Sequence, residues 1–467
     1  MGKADSPLAL TRRGMLVGMA ALTAASAAPL RRSSHYDVVV IGAGSAGIGA
    51  SRTLQALGRS CLVIEAANRV GGRAFTDSTT FPMPFDIGCA WIHAGMTNPY
   101  YAFALERGYH IKKHDVDTLH ELFYSGEWKG EAAVKAVADS EETIIKIAQD
   151  DARHGRDVPL ASIMPSCEPP MAAAATFMGP MDSAVDFSQE STFDLRDEES
   201  ADYDPNYLVR EGFGALVVDV AKGISVSLST AATAIRSERS GVAIETNKGT
   251  IRAKKVIVTA STGVLQKDAI RFEPRLPVET DEAIHSLPMG LLTKIPLLIP
   301  GVSHDSHEIN PGENVMNLVP PKPGSPPCQE ADGNFYYLAW PWDSDLMVGF
   351  VGGSYAWELA GRPDAEVIDV TVANLAQIYG NDIKRKVTKS LVTPWGRNPL
   401  THGAYAAAVP GHSPARDTIR LPVQDRIWFA GEAAAQDGLF ATCGGAYLSG
   451  TAQARAVHRA IGNADKA

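Results

Sequence analysis

At 467 residues the chain has room for two or three domains at roughly 150 residues each. Its 43 Lys plus Arg against 53 Asp plus Glu leave a formal charge of −10, with no basic stripe interleaved with aromatics, so no nucleic-acid partner is expected. Hydrophobic residues at 45% and charged residues at 21% describe an ordinary soluble globular protein, whose acidic surface favours cationic ligands only modestly.

The chain opens with Thr11-Arg12-Arg13-Gly14-Met15-Leu16, which resembles a twin-arginine signal. An apolar, small-residue stretch from Met15 to Ala28 follows, with Ala25-Ser26-Ala27 as a cleavage site. That stretch is too short to span a bilayer, so stable membrane insertion is not expected. Residues 1–35 are read as signal and linker. The protein is then expected to meet the twin-arginine export machinery and to become periplasmic or secreted; two chance arginines would leave it cytoplasmic. Five scattered cysteines (Cys61, Cys89, Cys167, Cys328, Cys443) show neither C-x-x-C nor metal-type spacing, which predicts no disulfide framework and no metal site. Cys61 and Cys89 are expected to behave as small buried hydrophobes.

The first structured element is an apolar β-branched run at 36–41, which switches into G-x-G-x-x-G and then a helix-like pattern from Ile48. Gly42 permits the tight turn, Gly44 lets the backbone approach a pyrophosphate, and Gly47 permits close helix–strand packing. The unpaired N–H groups of the helix N-terminus then face the phosphates. A second strand, Ser60 to Ile64, ends in Glu65, 18 residues beyond Gly47, where a carboxylate accepts bonds from ribose hydroxyls and repels a 2′-phosphate. To this point the cofactor is a dinucleotide of either kind. The next stretch, Ala66 to Arg73, resembles the E-x-x-x-R-x-G-G-R segment of glutathione-reductase-like flavoproteins of the amine oxidase group, which implies FAD. Arg426-Ile427-Trp428-Phe429-Ala430-Gly431-Glu432 looks like a second cofactor strand and loop, with Glu432 at the place where that family contacts the ribityl or pyrophosphate region.

From Tyr36 to Ile461 the order of motifs resembles flavin-containing amine oxidases, especially polyamine oxidases and, more distantly, monoamine oxidases and lysine-specific histone demethylases. Asp86-Ile87-Gly88-Cys89-Ala90-Trp91-Ile92-His93-Ala94-Gly95 with Asn98-Pro99 is similar to the G-A-x-W-I-H-G…N-P stretch of polyamine oxidases, and Val256 to Gln266 to their G-V-L-Q turn. Gly290-Leu291-Leu292-Thr293-Lys294-Ile295 resembles the segment whose lysine holds a water against flavin N5. Trp395-Gly396-Arg397-Asn398-Pro399 and Gly403-Ala404-Tyr405 resemble the segment that sets an aromatic ring near the flavin. The resemblance implies catalytic roles for Lys294, Tyr405, His93 and Thr442. It places Ser45, Ala46, Ala66, Gly88, Ala90, Trp91, Ala232, Trp395, Gly431, Ala441 and Thr442 around the cofactor. Outside that ordered set of motifs Lys294 would read as a snorkelling surface lysine; the alternative for Tyr405 is ordinary core, and for His93 a satisfied hydrogen-bonding residue. Ala404 stands where some monoamine oxidases carry the cysteine bonded to flavin, so FAD is expected to be non-covalent. Thr442 replaces their second cage tyrosine, which leaves the cage open on one side.

The expected fold class is α/β: a Rossmann-type FAD-binding domain, glutathione-reductase-like, with an α+β substrate domain, both discontinuous. Residues 36–92, 208–290 and 392–467 are assigned to the first, and 93–207 and 291–391 to the second. Within the second, Glu131 to Ala148 reads as a helix, Phe335 to Trp340 and Leu346 to Val351 as strands, and Pro311 and Pro320 to Pro327 as loops. The resemblance implies oxidation of a primary or secondary, polyamine-like amine to an imine and then an aldehyde by hydride transfer to flavin N5. The electrons then pass to O2 or to an external electron acceptor. An L-amino-acid oxidase shares the scaffold but needs a cation for the substrate carboxylate, for which Arg210 or Arg397 is on offer.

Overall fold

The computed structural model describes residues 35–116, 118–165, 168–201, 205–302, 309–319 and 333–464. The twin-arginine stretch, Cys167, Cys328 and the Pro320 to Pro327 loop lie outside the described residues. The β-branched run forms the strand His35–Ile41, parallel to Cys61–Ile64 on one side and to Gly249–Val258 on the other. Val38, Val39 and Val40 are fully buried, as a strand covered on both faces requires. The sheet continues through the antiparallel hairpin strands Gly241–Thr246 and Ala232–Glu238, and Ile427–Phe429 joins Gly249–Val258 in parallel from near the chain's far end. The helices Ser45–Ala56 and Cys443–Ala464 lie together over this sheet. Their backbones approach so closely that a Cβ on Gly450 would stand 1.9 Å from the Ala46 carbonyl oxygen.

A second, seven-stranded sheet runs in the order Lys389–Ser390, Leu292–Leu298, Leu346–Gly352, Phe335–Ala339, Asn314–Leu318, Glu121–Tyr124, Glu127–Lys129. Its four inner strands from Leu292–Leu298 to Asn314–Leu318 are buried on both faces because alternate side chains enter different cores. Tyr336, Leu338 and Phe350 pack with Val137 and Ile144 of the helix Glu131–Arg153, and Phe335, Tyr337 and Val351 with Val367 and Leu375 of the helix Asp364–Tyr379. The first of these helices runs one turn past the Ala148 end read from sequence. The two expected strands lie where the apolar runs placed them. The stretch from 93 to 113 packs differently from the rest of 93–207. Its helix Pro99–Glu106 shares a core with Ile48 and with Phe213 and Val217, and Ile111–Lys113 pairs with Tyr207–Val209. Only from Glu121 does the chain enter the second sheet.

Candidate active site

A cavity of about 580 Å³ opens from the glycine turn at one end to the face of the second sheet at the other. Every sequence-predicted site residue lines it except Gly47. Gly47 instead sits in the packing behind the turn, where a Cβ would lie 1.9 Å from the Gly42 carbonyl oxygen. Gly42, at φ +106°, makes the turn, and its N–H donates to Ile64 O (2.8 Å). Glu65 accepts from the N–H groups of Ala43 and Ala67, both at 2.7 Å, so the carboxylate fixes the turn and still presents lone pairs to the cavity it lines. At Gly44 a Cβ would meet nothing of the protein nearer than Gly72 Cα at 3.8 Å, so the space it would fill belongs to the cavity. An open glycine cradle, the helix N-terminus at Ser45 and a ribose-type carboxylate fit the dinucleotide half of FAD.

The far end of the chain closes this cradle. Arg73 Nη1 pairs with Glu432 at 2.8 Å and donates to Ala404 O at 2.6 Å, joining the E-x-x-x-R-x-G-G-R segment to both distant loops. Glu432 is buried and also accepts from Ala406 N (3.3 Å). Ser45 Oγ donates to Cys443 O (2.6 Å) and shares a 2.8 Å hydrogen bond with the Tyr100 hydroxyl. Thr442 Oγ1 donates to Leu439 O (2.8 Å) and accepts from Gly445 N (2.9 Å), which makes it the N-cap of the C-terminal helix. Ala66, Ala90, Ala232, Gly431 and Ala441 complete the lining with small side chains or none.

Lys294 projects from the strand Leu292–Leu298 into the junction of the two sheets, where it is buried. Its Nζ donates to Gly88 O (2.5 Å) and Asp86 O (3.1 Å) and lies 5.7 Å from the Trp91 ring centroid. An ammonium has three donors, so one remains for the cavity. Burial lowers the Lys294 pKa to about 8, opposed by the Asp86 and Cys89 charges. Asp86 is itself buried and receives Thr76 Oγ1 (2.6 Å), Phe213 N (2.8 Å) and Gly214 N (3.0 Å), while burial raises its pKa. It anchors the loop that carries Gly88. Trp395 Nε1 donates to Ile87 O (2.9 Å) and holds the same loop from the other side.

Tyr405 is tied to the lysine strand through Gly290, whose N–H donates to Tyr405 O (2.7 Å) and whose carbonyl accepts from Ala404 N (2.8 Å). The Tyr405 hydroxyl donates to Asp182 O (2.5 Å), and burial holds its pKa well above the ordinary phenol range, so the ring is neutral. His93 Nδ1 bonds Asn206 Oδ1 at 2.9 Å, and burial lowers its pKa to about 4, so the imidazole is neutral near pH 7. An Nδ1–H donated to that amide oxygen leaves Nε2 the acceptor tautomer.

Sequence reasoning missed the second sheet's side of the cavity. Val116, Phe177, Met181, Asp182, Glu198 and Tyr336 line it without belonging to any motif, and no spacing signal marks them. Also missed was the ion pair of Asp194 and Arg416, both buried, at 2.6 Å. Arg416 donates further to Ala406 O and Ala433 O, both at 3.2 Å, which are neighbours of Tyr405 and Glu432. Among the described residues there is no group of three or more His, Cys, Asp or Glu that could hold a metal ion, and no helix is long and apolar enough to cross a membrane.

A Rossmann-type cradle facing a second sheet across a lysine- and tyrosine-bearing cavity defines a two-domain FAD-dependent oxidoreductase. The profile of the family described as flavin containing amine oxidoreductase matches residues 138–458, and an NAD(P)-binding Rossmann-like domain matches 40–105. The chain belongs to that amine oxidoreductase family and is a flavin-dependent amine oxidase by class. It is 28% identical to polyamine oxidase 4 of Oryza sativa subsp. japonica, over 90% of this chain and 88% of that protein. It is 26% identical to the human lysine-specific histone demethylase 2, over 95% of this chain but only 56% of that longer protein. The solved structure of a putrescine oxidase bound to putrescine superimposes with a TM-score of 0.72 at 20% identity, covering 91% of this chain and 99% of that one, which shows the shared fold.

Proposed function

We propose that the protein oxidises a primary or secondary, polyamine-like amine to an imine, which water converts to an aldehyde, with dioxygen as the final acceptor yielding hydrogen peroxide. The observation that carries this reading is that Lys294, on a strand of the second sheet, and Tyr405, in a loop 111 positions further on, line one cavity with the cofactor cradle. FAD held there by the glycine turn, Glu65, Arg73 and Glu432 supplies the two-electron acceptor. The Tyr405 face packs against the amine, and the neutral His93 ring offers an acceptor for its N–H. The third Lys294 donor holds a water, and Trp91 and Phe350 around it keep bulk solvent away. A charged Lys294 beside the substrate disfavours an ammonium, so the neutral amine is the form that docks productively.

An amino-acid substrate fits less well. Arg210 is exposed and Arg397 pairs with Asp364, and neither lines the cavity. Arg69 and Arg73 do, but both are engaged in the cradle. With Ala404 at the position of the linking cysteine, FAD is bound without a covalent bond, and acid precipitation is expected to release all of it. Export by the twin-arginine route, with a periplasmic or secreted mature protein, belongs to the same reading and rests on Arg12-Arg13 and the stretch that follows.

The deciding experiment mixes the FAD-loaded protein anaerobically with a panel of amines and amino acids while the oxidised-flavin absorbance is followed. Bleaching by amines, and peroxide once oxygen is admitted, is the expected result. Bleaching by amino acids alone overturns the substrate class. Dye reduction without peroxide replaces the oxidase reading with an amine dehydrogenase that uses a protein electron acceptor.

A further inference from the structure

Trp91 forms the cavity wall between Lys294 and His93. Its ring centroid lies 5.7 Å from Lys294 Nζ, 6.4 Å from the His93 ring and 6.1 Å from the Phe350 ring of the second sheet. The indole has one polar atom, Nε1, whose N–H can only donate. That N–H is received by His114 Nδ1 at 3.1 Å, and the two ring centroids stand 5.9 Å apart. His114 is buried behind the wall and does not itself line the cavity.

The local backbone brings the two rings together. Trp91–Ile92, Tyr207–Val209 and Ile111–Lys113 form a three-stranded antiparallel sheet with Tyr207–Val209 in the middle. Trp91 belongs to one edge strand and His114 directly follows the other, so their hydrogen bond spans the middle strand. The His114 N–H donates to Asn206 O (3.0 Å), and Asn206 Oδ1 bonds His93 Nδ1 (2.9 Å), so one small sheet sets both the Trp91 and the His93 rings.

Both ring nitrogens of His114 are engaged. Nε2 bonds Gly312 O at 2.9 Å; a carbonyl only accepts, so Nε2 carries the hydrogen and Nδ1 keeps its lone pair for the indole. The two neighbours therefore require the same neutral tautomer, and an imidazolium would set an Nδ1–H against the indole N–H. Burial lowers the His114 pKa; His120 and Lys112 act in the same direction, and the Gly312 carbonyl and Asp115 oppose them. Gly312 lies just before the strand Asn314–Leu318, and its N–H donates to Ala339 O (2.7 Å), so the ring that holds Trp91 is braced on the second sheet.

We propose that His114 is a positioning residue for amine oxidation: its Nδ1 lone pair fixes the Trp91 indole, and with it the wall shared by Lys294 and His93. The χ2 torsion of an aromatic side chain is broad, and a hydrogen bond at the ring edge selects one orientation of the ring. A reacting group set against that wall keeps its geometry only while the ring does. The effect on rate rests on the proposed amine substrate, whereas the hold on the indole rests on the structure alone.

The test uses the full-length, FAD-loaded protein with fluorotryptophan at its seven tryptophans, the Trp91 fluorine resonance being assigned by its loss in Trp91→Phe. Two variants separate the His114 nitrogens. Asn keeps an acceptor oxygen near the place of Nδ1, whereas Gln keeps a donor near the place of Nε2 and offers the indole no acceptor. His114→Gln should shift or broaden the Trp91 resonance and leave the others in place, and His114→Asn should leave all of them in place. On anaerobic mixing with amine, His114→Gln should lower the limiting rate of flavin reduction about 10-fold with the half-saturating amine concentration little changed, and His114→Asn should recover most of that loss. Added to Trp91→Phe, which has no indole N–H, His114→Gln should slow reduction no further. An unmoved Trp91 resonance in His114→Gln overturns the proposal, and so does an unchanged rate or a loss of rate that persists undiminished in Trp91→Phe. Nitrogen spectra of the labelled histidine rings in the unsubstituted protein should show His114 in the Nε2–H form, and any other form overturns the proposal even where a variant does not fold. If no amine bleaches the unsubstituted protein, the substrate class falls while the fluorine spectra still decide whether His114 holds Trp91, so the two readings fail separately.

Discussion

At Lys294 the protein buries a cation and satisfies it with two carbonyls. Folding lowers its pKa from 10.5 to about 8, so between those values the unfolded chain binds the proton that the folded chain has lost. Stability from this group therefore rises as pH climbs from about 8 toward 10.5. Lys294→Met removes that rise, and urea titrations should find its stability relative to the unsubstituted protein highest below pH 8 and lower by pH 10.5. The same variant should slow amine-dependent flavin reduction on the order of 100-fold, within the range for a positioned proton-handling group. An unchanged rate removes Lys294 from the chemistry. His93 gives a complementary window. Its pKa falls from 6.5 to about 4 on folding, so stability is lost as pH drops from about 6.5 toward 4. His93→Gln should lose less stability between pH 7 and pH 5 in thermal melts, and an equal loss shows that the ring is not held neutral.

The elements that present these side chains are fixed by contacts that no motif encodes. The helix Thr192–Ala201 sends Asp194 to Arg416, and Arg416 grips the backbone beside both Tyr405 and Glu432. Burial raises the Asp194 pKa, but the Arg416 charge and the donors from Ala408 N and Ser413 hold the carboxyl below its ordinary range. Asp194→Ala leaves a buried guanidinium unpaired and should cost about 3–5 kcal/mol in urea unfolding. The Asp194→Leu, Arg416→Met double variant should recover most of that while binding FAD more weakly, because the Tyr405 and Glu432 loops lose a shared anchor. Thr442→Ala should cost about 1 kcal/mol as a lost helix cap, with Thr442→Ser close to the unsubstituted protein. The cofactor cradle was legible in sequence because turns, helix starts and phosphate sites need particular residues at fixed spacing, as at Gly42, Gly44 and Glu65. Lys294 and Tyr405 were legible only through resemblance. The Asp194–Arg416 pair was not legible, since it joins residues more than 200 positions apart through packing alone.

On the scale of the molecule, the cradle is assembled from both ends of the chain. Gly42 to Arg73 form one wall and Gly431 to Cys443 the other, while the helices Ser45–Ala56 and Cys443–Ala464 lock together behind them. No N-terminal fragment contains a complete FAD site, so the cofactor can be held only after the last helix has docked. A chain threaded unfolded through a membrane would have to find FAD on the far side. One carried by the twin-arginine route would leave already folded and loaded, which is the physical sense that the proposed signal at Arg12-Arg13 would have on this fold. On the proposed export route, replacing both with Lys should stop export while leaving a folded, FAD-loaded protein inside the cell. Fractionation with flavin fluorescence reads the outcome directly: yellow protein in the periplasm of the double variant, in the amount seen for the unsubstituted chain, would show that these arginines are not the export signal.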